Sequence, residues 1–380
     1  MREKITLVAD MDLSKMSGDV IRTIAFATEL QKNGFNVTLL TPKPNGNISF
    51  ELDGINMVHM AIPYNGGSVL NIFNRTFSLI KEAKKLRNNP LIIETSPLGG
   101  YFALFGFSNY ILDVHGIHFS EIDYAAPPWY ISKRIYKKLI RFLEKLALKK
   151  AFKINVVSEN MAQFIITEFN VQKEKITVIP NGYFNSKVIE VSKKVIKEKK
   201  GAVTFVGNLA KWARADKIVN VAKVLKNEEV TFYIVGGGIY SQKLEDLVDK
   251  YKLSNIVFTG YVPLEQAYEM IASSQIMLLP FPQDICTEVA CPIKVLEYMA
   301  FGKAMVIDEV DEISKILKEN SAALVCDPDN EEDFAENIRF LLKNEKMRRK
   351  IGNNARLLSK EFSWENQGQK LVEVLENING

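Results

Sequence analysis

Short apolar runs bounded by turn residues alternate with longer amphipathic segments along most of the chain. Apolar runs of this length are typical of buried parallel strands, and the amphipathic segments between them are typical of helices that cover a sheet. Between the first two runs lies "GDVIRTIAFATELQKNGF", which predicts a helix closed by Gly34. The predicted strands of the first half are "ITLVA" from Ile5, "NVTLLTP" from Asn36, "INMVHMAIP" from Ile55, "PLIIETSP" from Pro90, "YILDVHG" from Tyr110, "INVVSE" from Ile154 and "KITVIPNG" from Lys175.

The alternation lapses after Gly182, where "KVIEVSKKVIKEKK" is rich in lysine and weakly periodic. We therefore predict two open α/β domains, which bind ligands at the carboxyl ends of their strands. The predicted parts are residues 1–185, a linker at 186–200, residues 201–362 and a last helix at 363–380. The strands of the second domain are "AVTFVGNL" from Ala202, "VTFYIVGGG" from Val230, "NIVFTGYV" from Asn255, "IMLLPF" from Ile276, "KAMVIDEV" from Lys303 and "AALVCDP" from Ala322.

Charge and cysteine content exclude several classes of protein. The 49 basic residues nearly balance the 45 acidic ones, so a net charge of +4 gives no reason to expect a nucleic-acid partner. Three cysteines without CxxC spacing predict neither a disulfide framework nor a zinc site. The chain starts on a strand pattern rather than a signal peptide, and no apolar run is long enough to span a bilayer. We expect a cytoplasmic protein, at most peripheral on the inner face of the membrane.

The segment "CPIKVLEYMAFGKAMVIDEV" is the most informative part of the sequence for chemistry. Pro292 and Gly302 bracket a short helix, on which Lys294 and Glu297 share one face. The start of such a helix offers free backbone N–H groups and a positive dipole end to the oxygens of a diphosphate. Lys294 would neutralise phosphate charge, and Glu297 would accept hydrogen bonds from two ribose hydroxyls. A plain surface helix with a weak Lys–Glu ion pair is the alternative interpretation.

Taken in order, several segments resemble the family 4 glycosyltransferases of the GT-B fold, and the likeness covers nearly the whole chain. These segments are "SGDVIRTIAFATELQKNGFNVTLLTP", "DVHG", "VVSENMAQFI", "KITVIPNG", "TFVGNL", "FYIVGGG", "NIVFTGYVPLEQAYEMIASSQIMLLPF", "PIKVLEYMAFGKAMV" and "FSWENQGQKL".

The resemblance implies two Rossmann-like domains whose parallel sheets face each other across a cleft, with a C-terminal helix that crosses back to the first domain. It also implies transfer of a sugar from a nucleotide-sugar donor to an unidentified acceptor, lipid-linked or polysaccharide, with retention and without a metal or other cofactor. In the family, the second Glu of a Glu-x7-Glu motif contacts the ribose, and Glu297 matches it. A nucleotide-sugar epimerase of the same fold and an inactive nucleotide-sugar-binding subunit remain alternatives.

The sequence departs from the family pattern at two places. Eight residues before Glu297 stands Val289, and Glu288 is one position away, so Glu288 either takes the role of the first Glu in placing the donor sugar or that carboxylate is missing. The family's phosphate-binding Arg and Lys are replaced by Asn208 and Ala213. The cations that could substitute for them are Lys211, Arg214 and Lys217, of which we prefer Arg214 because a guanidinium binds phosphate bidentately.

The resemblance also assigns residues at the ends of other predicted strands. His115 ends a strand beside Gly116 and matches the family's donor-sugar histidine, and a structural histidine is the alternative interpretation. Nothing favours a functional role for His59 or His118. Gly18 matches a glycine-rich loop near the donor phosphates. The remaining candidate donor-binding glycines follow the first two strands of the second domain, and they are Gly207, Gly236 and Gly238. The last two fit only part of a dinucleotide-binding fingerprint, because Ser241 stands at its third glycine position.

Two further segments bear on metals and membranes. Asp10 and Asp12 have the DxD spacing of a metal-binding motif, but they end the first strand, so we expect no metal. The segment 131–153 is strongly basic around an apolar stripe of Ile131, Ile135, Leu139, Leu143, Leu146 and Ala147. We expect its basic flanks to dock on an anionic membrane surface, helped by Tyr124, Trp129 and Tyr130 just before it. A cytosolic helix that packs its stripe on the sheet is the alternative.

Overall fold

The computed structural model describes residues 3–64, 69–86, 88–124 and 132–379, which divide into two compact units. The first unit comprises Met1–Asn181, Val289–Cys291 and Trp364–Gly380. The second unit comprises Gly182–Glu288 and Pro292–Ser363. Each unit has its own parallel sheet and its own buried core. The predicted class, two α/β Rossmann-like domains, is confirmed.

The first unit contains a seven-stranded parallel sheet with the order β3-β2-β1-β4-β5-β6-β7. Each strand lies where an apolar run predicts one. The five inner strands bury nearly all of their side chains, whereas the two edge strands are mostly half-buried or exposed. The strands are β1 Lys4–Val8, β2 Asn36–Lys43, β3 Asn56–Pro63, β4 Leu91–Glu94, β5 Ile111–Val114, β6 Lys153–Val156 and β7 Ile176–Val178. The helices are α1 Gly18–Lys32, α2 Val69–Lys85, α3 Ser96–Leu104, α4 His118–Glu121, α5 Lys133–Lys150, α6 Glu159–Phe169 and α16 Trp364–Asn379.

The second unit contains a six-stranded parallel sheet with the order β10-β9-β8-β11-β12-β13. Every predicted strand of this half is present. The strands are β8 Ala202–Val206, β9 Thr231–Val235, β10 Ile256–Gly260, β11 Ile276–Leu279, β12 Ala304–Asp308 and β13 Leu324–Cys326. The helices are α7 Asn185–Ser192, α8 Ala215–Val224, α9 Ser241–Tyr251, α10 Leu264–Ser273, α11 Ile285–Glu288, α12 Ile293–Ala300, α13 Glu312–Glu319, α14 Glu331–Lys343 and α15 Glu345–Ser359.

The ends of the units differ from the predicted boundaries. The predicted linker at 186–200 begins inside α7, which belongs to the second unit and buries Val188 and Val191. The lysines that suggest a linker lie on the exposed side of this helix and after it. The helix α16 groups with the first unit, where Trp364 packs edge-to-face on Phe26 with 5.9 Å between ring centroids.

Candidate functional site

The helix α12 begins after Pro292, at φ −73°, and Gly302 at φ 65° follows its end. Six consecutive residues of this helix are buried, so it is an interior helix and the surface-helix alternative is wrong. The burial extends over several faces of the helix, which carry apolar and aromatic residues. The buried residues are Val295, Leu296, Glu297, Tyr298, Met299 and Ala300.

Glu297 is a buried carboxylate that accepts a hydrogen bond from a tyrosine. Only 7% of the residue is exposed, and the hydroxyl of Tyr268, on α10, donates to its Oε1 at 2.9 Å. Burial raises the pKa of Glu297 to about 7, although the Tyr268 hydrogen bond and the charge of Lys294 lower it. A buried carboxylate that retains acceptor capacity is suited to two hydroxyl donors of a ligand.

Lys294 lies one helical turn earlier, and its ammonium group packs on aromatic rings. Its Nζ lies 4.5 Å from the ring centroid of Phe205 and 5.5 Å from that of Trp212. The Nζ is buried and has no hydrogen-bond partner among the described residues. Burial lowers the pKa of Lys294 to about 8, against the opposing effect of the Glu297 charge. An ammonium group that is held only by ring faces would gain from an anionic ligand.

Glycines bring the backbone close to Lys294 at the carboxyl ends of β8 and β9. A Cβ on Gly207 would lie 2.5 Å from the Lys294 Nζ. A Cβ on Gly236, at φ 123°, would lie 2.1 Å from the carbonyl oxygen of Gly207. Gly238 follows in the same loop, where Leu209 N donates to Gly237 O at 2.9 Å. The strand ends and the start of α12 therefore form a narrow, glycine-lined edge.

The other candidate cations have different environments. Lys211 is exposed at the start of a short 3-10 helix. Arg214 donates from Nη1 to the carbonyl oxygen of Pro328 at 3.1 Å. Lys217 is fully buried, and its Nζ lies 2.6 Å from Asp308 Oδ1. Lys217 therefore serves the interior of the second unit rather than a solvent-facing site.

The loop around α11 shows which residue could act as the first carboxylate. Val289, at the family's Glu position, is buried, and its carbonyl oxygen accepts a hydrogen bond from the Ser158 hydroxyl at 2.7 Å. Glu288 ends α11 and is partly exposed. Glu288 therefore remains the candidate for the first carboxylate at this point of the chain.

In the first unit, His115 directly follows β5 and adjoins two buried carboxyl groups. Its Nδ1 lies 3.8 Å from Glu94 Oε2 and 3.8 Å from Asp113 Oδ2. Arg22, at the start of α1, donates to both oxygens of Asp113, at 2.6 and 2.8 Å. Burial would raise the pKa of Asp113, but the Arg22 guanidinium holds it well below its usual range.

Glu94, Asp113 and His115 have the donor types of a metal site, and their ligand atoms lie within 4.8 Å of one another. Arg22 already occupies both oxygens of Asp113. A divalent cation there would face the guanidinium charge, so the group fits an internal hydrogen-bond network better than a metal. Gly18, the other candidate of this unit, is the first residue of α1.

The acidic pair of the first strand is held by protein donors. Asp10 accepts hydrogen bonds from Arg75 at 2.9 and 3.3 Å. Asp12 accepts from the backbone and side chains of both Ser14 and Asn45. The two carboxylates therefore accept hydrogen bonds from separate sets of protein donors.

Two features next to the candidate residues depend on tertiary contacts and were not predicted from the sequence. Tyr298 binds the end of β8, since Val206 N donates to its hydroxyl at 2.9 Å. Buried Glu144 accepts from the backbone N–H groups of His118 and Phe119, and with Glu121 it raises the pKa of His118 to about 9 in spite of burial. The spacing of three residues between His118 and Glu121 is a local signal for the second feature, whereas the contact of Tyr298 with β8 is a tertiary one.

The basic segment predicted at 131–153 forms α5 from Lys133, and Trp129, Tyr130 and Ile131 lie outside the described residues. The predicted apolar stripe is divided in the structure. Leu143 and Ala147 are buried, whereas Ile135 is 63% and Leu139 is 43% exposed. Among the described residues, no helix combines the length and the apolar character that crossing a membrane requires.

Each half of the chain matches a known protein family. Residues 187–358 match the family described as "Glycosyl transferases group 1". Residues 17–183 match the family described as "Glycosyltransferase Family 4". The two matches together span most of both units.

Curated relatives match over part of their length. An uncharacterized glycosyltransferase of Methanocaldococcus jannaschii, MJ1069, is 27% identical over 62% of this chain and 60% of its own. Two more from that organism match over 47% and 63% of their length, so the chain spans about half to two thirds of these relatives. The N,N'-diacetylbacillosaminyl-diphospho-undecaprenol alpha-1,3-N-acetylgalactosaminyltransferase of Campylobacter jejuni is 25% identical over 60% of this chain and 62% of its own.

Solved structures share the fold over nearly the whole chain. Sucrose-phosphate synthase of Thermosynechococcus elongatus has a TM-score of 0.81 at 16% identity, with 99% of each chain covered. Anabaena HepE in complex with UDP-glucose has a TM-score of 0.74 at 15% identity, with 99% of this chain and 100% of that chain covered. At these identities, the similarity shows the fold alone.

Proposed function

Because the chain belongs to the family 4 glycosyltransferases of the GT-B fold, we propose that it transfers a sugar from a nucleoside-diphosphate sugar to an acceptor hydroxyl. The observation that carries this proposal is the buried pair Lys294 and Glu297 on α12. One side chain offers an ammonium group without a hydrogen-bond partner in the described part of the chain, and the other offers a carboxylate with free acceptor capacity. A nucleoside diphosphate supplies the matching groups, phosphate oxygens and vicinal ribose hydroxyls.

Donor binding in this proposal starts at the ribose. Glu297, held by Tyr268, accepts hydrogen bonds from the two ribose hydroxyls. Lys294 and the first N–H groups of α12 bind the diphosphate, and Gly207 and Gly236 leave room for it beside the backbone. HepE has been crystallised with UDP-glucose, which supports a nucleotide sugar as the donor class.

Positively charged side chains beside the diphosphate would stabilise the leaving nucleoside diphosphate. The bond between the anomeric carbon and the phosphate oxygen breaks, and the acceptor oxygen bonds to that carbon from the same face. The acceptor proton passes to the leaving phosphate. Lys294, Lys211 and Arg214 are the candidate cations for this electrostatic stabilisation, and Gly238, in the loop after β9, is a further candidate to bind the donor. His115 and Glu288 are the candidates to contact the donor sugar, and Gly18 the candidate near its phosphates.

A donor panel tests the proposal directly. We expect release of nucleoside diphosphate from one nucleotide sugar, slowly without acceptor. Glu297→Gln should weaken binding of that nucleotide by about 1–3 kcal/mol, since neutral acceptors bond more weakly than a carboxylate. Glu319→Gln, at an exposed position of the same unit, is the matched control and should bind as the native protein does. Unchanged calorimetric affinity in Glu297→Gln would contradict the assignment.

The same panel separates the alternative functions. Interconversion of two nucleotide sugars without release of diphosphate would identify an epimerase. Binding without turnover in the presence of acceptors would identify an inactive subunit, an alternative that rests on the replaced positions Asn208, Ala213 and Val289.

We further propose that turnover needs no divalent metal. The support is the set of protein donors that already occupy Asp10 and Asp12, and the guanidinium on Asp113. Release of nucleoside diphosphate should therefore continue at an unchanged rate in excess chelator. Loss of activity on chelation and recovery on addition of magnesium or manganese would overturn this proposal.

The acceptor in this proposal is lipid-linked, and α5 brings the protein to the lipid surface. At about 100° per residue, the exposed apolar Ile135, Leu139 and Phe142 form one band along α5, and the exposed Arg134, Lys138, Lys145 and Lys149 form the adjacent band. The buried side of the helix is a third face, so both bands are exposed with respect to the residues that the structure describes. The name of the Campylobacter jejuni relative, which contains a diphospho-undecaprenol, supports an acceptor of this class.

A further inference from the structure

Glu94 is a buried carboxyl group that no step of the proposed transfer uses. It ends β4, and its Cα partner in the parallel sheet is Asp113 on β5. Both residues are fully buried. The next residue, Thr95, has φ 78°, which is unfavourable for a β-branched residue, so the backbone is strained where the chain leaves Glu94.

In the cluster of Arg22, Glu94, Asp113 and His115, some of the buried polar atoms have hydrogen-bond partners in the part of the chain that the structure describes and others do not. Asp113 is satisfied by two bonds from Arg22, and Arg22 also donates to Asn181 Oδ1 at 3.1 Å. Within the described residues, both oxygens of Glu94 and the Nδ1 of His115 are buried without a hydrogen-bond partner. The His115 Nδ1 lies 3.8 Å from Glu94 Oε2 and also 3.8 Å from Asp113 Oδ2, but both oxygens of Asp113 already accept hydrogen bonds from Arg22. Two buried groups that each lack a partner therefore face each other.

The charges around Glu94 determine in which protonation state it can pair with His115. Arg22 and Asp113 neutralise each other, and Asp19 of α1 is the other acidic group whose charge acts on Glu94. An ionised Glu94 would leave an unpaired negative charge in the interior. Burial and the Asp113 carboxylate accordingly raise the pKa of Glu94 well above its usual range, against the opposing charge of Arg22.

We propose that Glu94, in its protonated form, positions the imidazole of His115. Its carboxyl O–H donates to Asp113, and its other oxygen accepts a hydrogen bond from the His115 Nδ1–H. The chain of donors then runs from His115 through Glu94 to Asp113, whose charge Arg22 neutralises. This arrangement fixes the Nδ1–H tautomer of His115 and leaves its Nε2 as a hydrogen-bond acceptor.

The effect of this arrangement on the donor sugar rests on the proposed function. A neutral His115 with an acceptor Nε2 would take a hydrogen bond from a hydroxyl of the donor sugar, rather than give a proton or a positive charge to it. Glu94 is therefore a positioning residue, since it acts through His115. Its role can be measured on the protein without any donor or acceptor.

The test is the tautomer of His115, read from imidazole ¹⁵N chemical shifts in protein labelled at histidine. The chain has only 3 histidines, and His115→Gln identifies the signals of His115 by their loss. We expect a protonated, pyrrole-like Nδ1 and an unprotonated, pyridine-like Nε2 in the native protein at neutral pH. An Nε2–H tautomer or an imidazolium at His115 would overturn the proposal.

Two variants separate a hydrogen-bonding role from a structural one. Glu94→Gln should keep the tautomer, because its amide N–H donates to Asp113 and its oxygen accepts from His115. Glu94→Leu keeps the volume and burial but removes both bonds, so we expect a mixture of tautomers. The His59 signals, whose Nδ1 lies 3.2 Å from the Thr41 hydroxyl, report that the fold is intact. Equal spectra for the Gln and Leu variants would contradict the proposal, and donor turnover plays no part in that outcome.

Discussion

Lys294 and Glu297 lie one helical turn apart, and burial moves both pKa values toward neutrality. The pKa of Lys294 falls to about 8 and that of Glu297 rises to about 7. Donor binding needs Lys294 protonated and Glu297 ionised. Affinity for the nucleotide sugar selected by the donor panel should therefore be highest between about pH 7 and pH 8, and should fall on both sides. Calorimetry across this range measures the window.

The two limbs of that profile can be separated by substitution. Glu297→Gln should remove the acidic limb, since an amide does not titrate, and should leave the basic limb in place. Lys294→Met should do the reverse, with weaker binding at every pH. A profile that is flat from pH 6 to pH 9 in the native protein would show that neither group contacts the ligand.

The sequence is sufficient to select these two residues but not their environment. Spacing places Lys294 and Glu297 on one face of a helix, and the resemblance assigns the carboxylate. Burial depends on what α12 packs against, and Tyr268 lies 29 residues away in the chain. The preferred cation Arg214 shows the same limit, because its bond to the Pro328 carbonyl is a tertiary contact that no local pattern encodes.

At the scale of elements, α5 carries the prediction of membrane docking. At about 1 kcal/mol per basic residue near an anionic surface, its exposed basic band suffices for reversible binding, and the apolar band adds to it. Native protein should sediment with anionic vesicles and not with neutral ones, and binding should fall with salt. Changing Arg134, Lys138 and Lys145 to Glu should abolish it.

The three substituted positions on α5 were chosen to leave the ion pairs of the helix intact. Lys137 pairs with Asp123 and Arg141 with Glu168, so their substitution would also break contacts within the unit. The matched control carries the same charge change on the second unit, at the exposed residues Lys315, Lys346 and Lys350. Equal loss of sedimentation in both triple variants would indicate an effect of net charge alone.

The same helix shows what periodicity predicts and what it does not. Apolar residues that recur about every 3.6 positions identify α5 as an amphipathic helix. Short continuous apolar runs identify the strands of both sheets. Periodicity does not say which apolar positions a neighbour covers. Ile135 and Leu139 belong to the same predicted apolar stripe as Leu143. Leu143 is buried against the rest of the unit, whereas Ile135 and Leu139 are exposed.

At the scale of the whole molecule, buried Asp311 and half-buried His118 hold their protons more tightly in the folded state than in the unfolded state. Burial raises the pKa of Asp311 to about 7, against hydrogen bonds from Ser314. The pKa of His118 rises to about 9, because the charges of Glu121 and Glu144 outweigh its burial. An unfolded carboxyl group titrates near pH 4 and an unfolded histidine near pH 6.5, roughly.

Stability should therefore fall as pH rises through the range between these values. Where the folded state binds more protons than the unfolded state, the free energy of unfolding decreases with pH. The contribution of Asp311 is present below about pH 4 and is lost by about pH 7, and that of His118 is lost between about pH 6.5 and pH 9. The melting temperature should be higher at pH 5 than at pH 9, by roughly 5 °C or more.

One substitution tests the physical cause of this slope. The carboxylate of Asp311 caps α13 through a bond from Ser314 N at 2.7 Å, and asparagine can keep that cap without titrating. Asp311→Asn should therefore flatten the decline of melting temperature between pH 5 and pH 7, while the decline above pH 7, which belongs to His118, persists. A native melting temperature that rises from pH 5 to pH 9 would mean that other groups dominate the proton balance of folding.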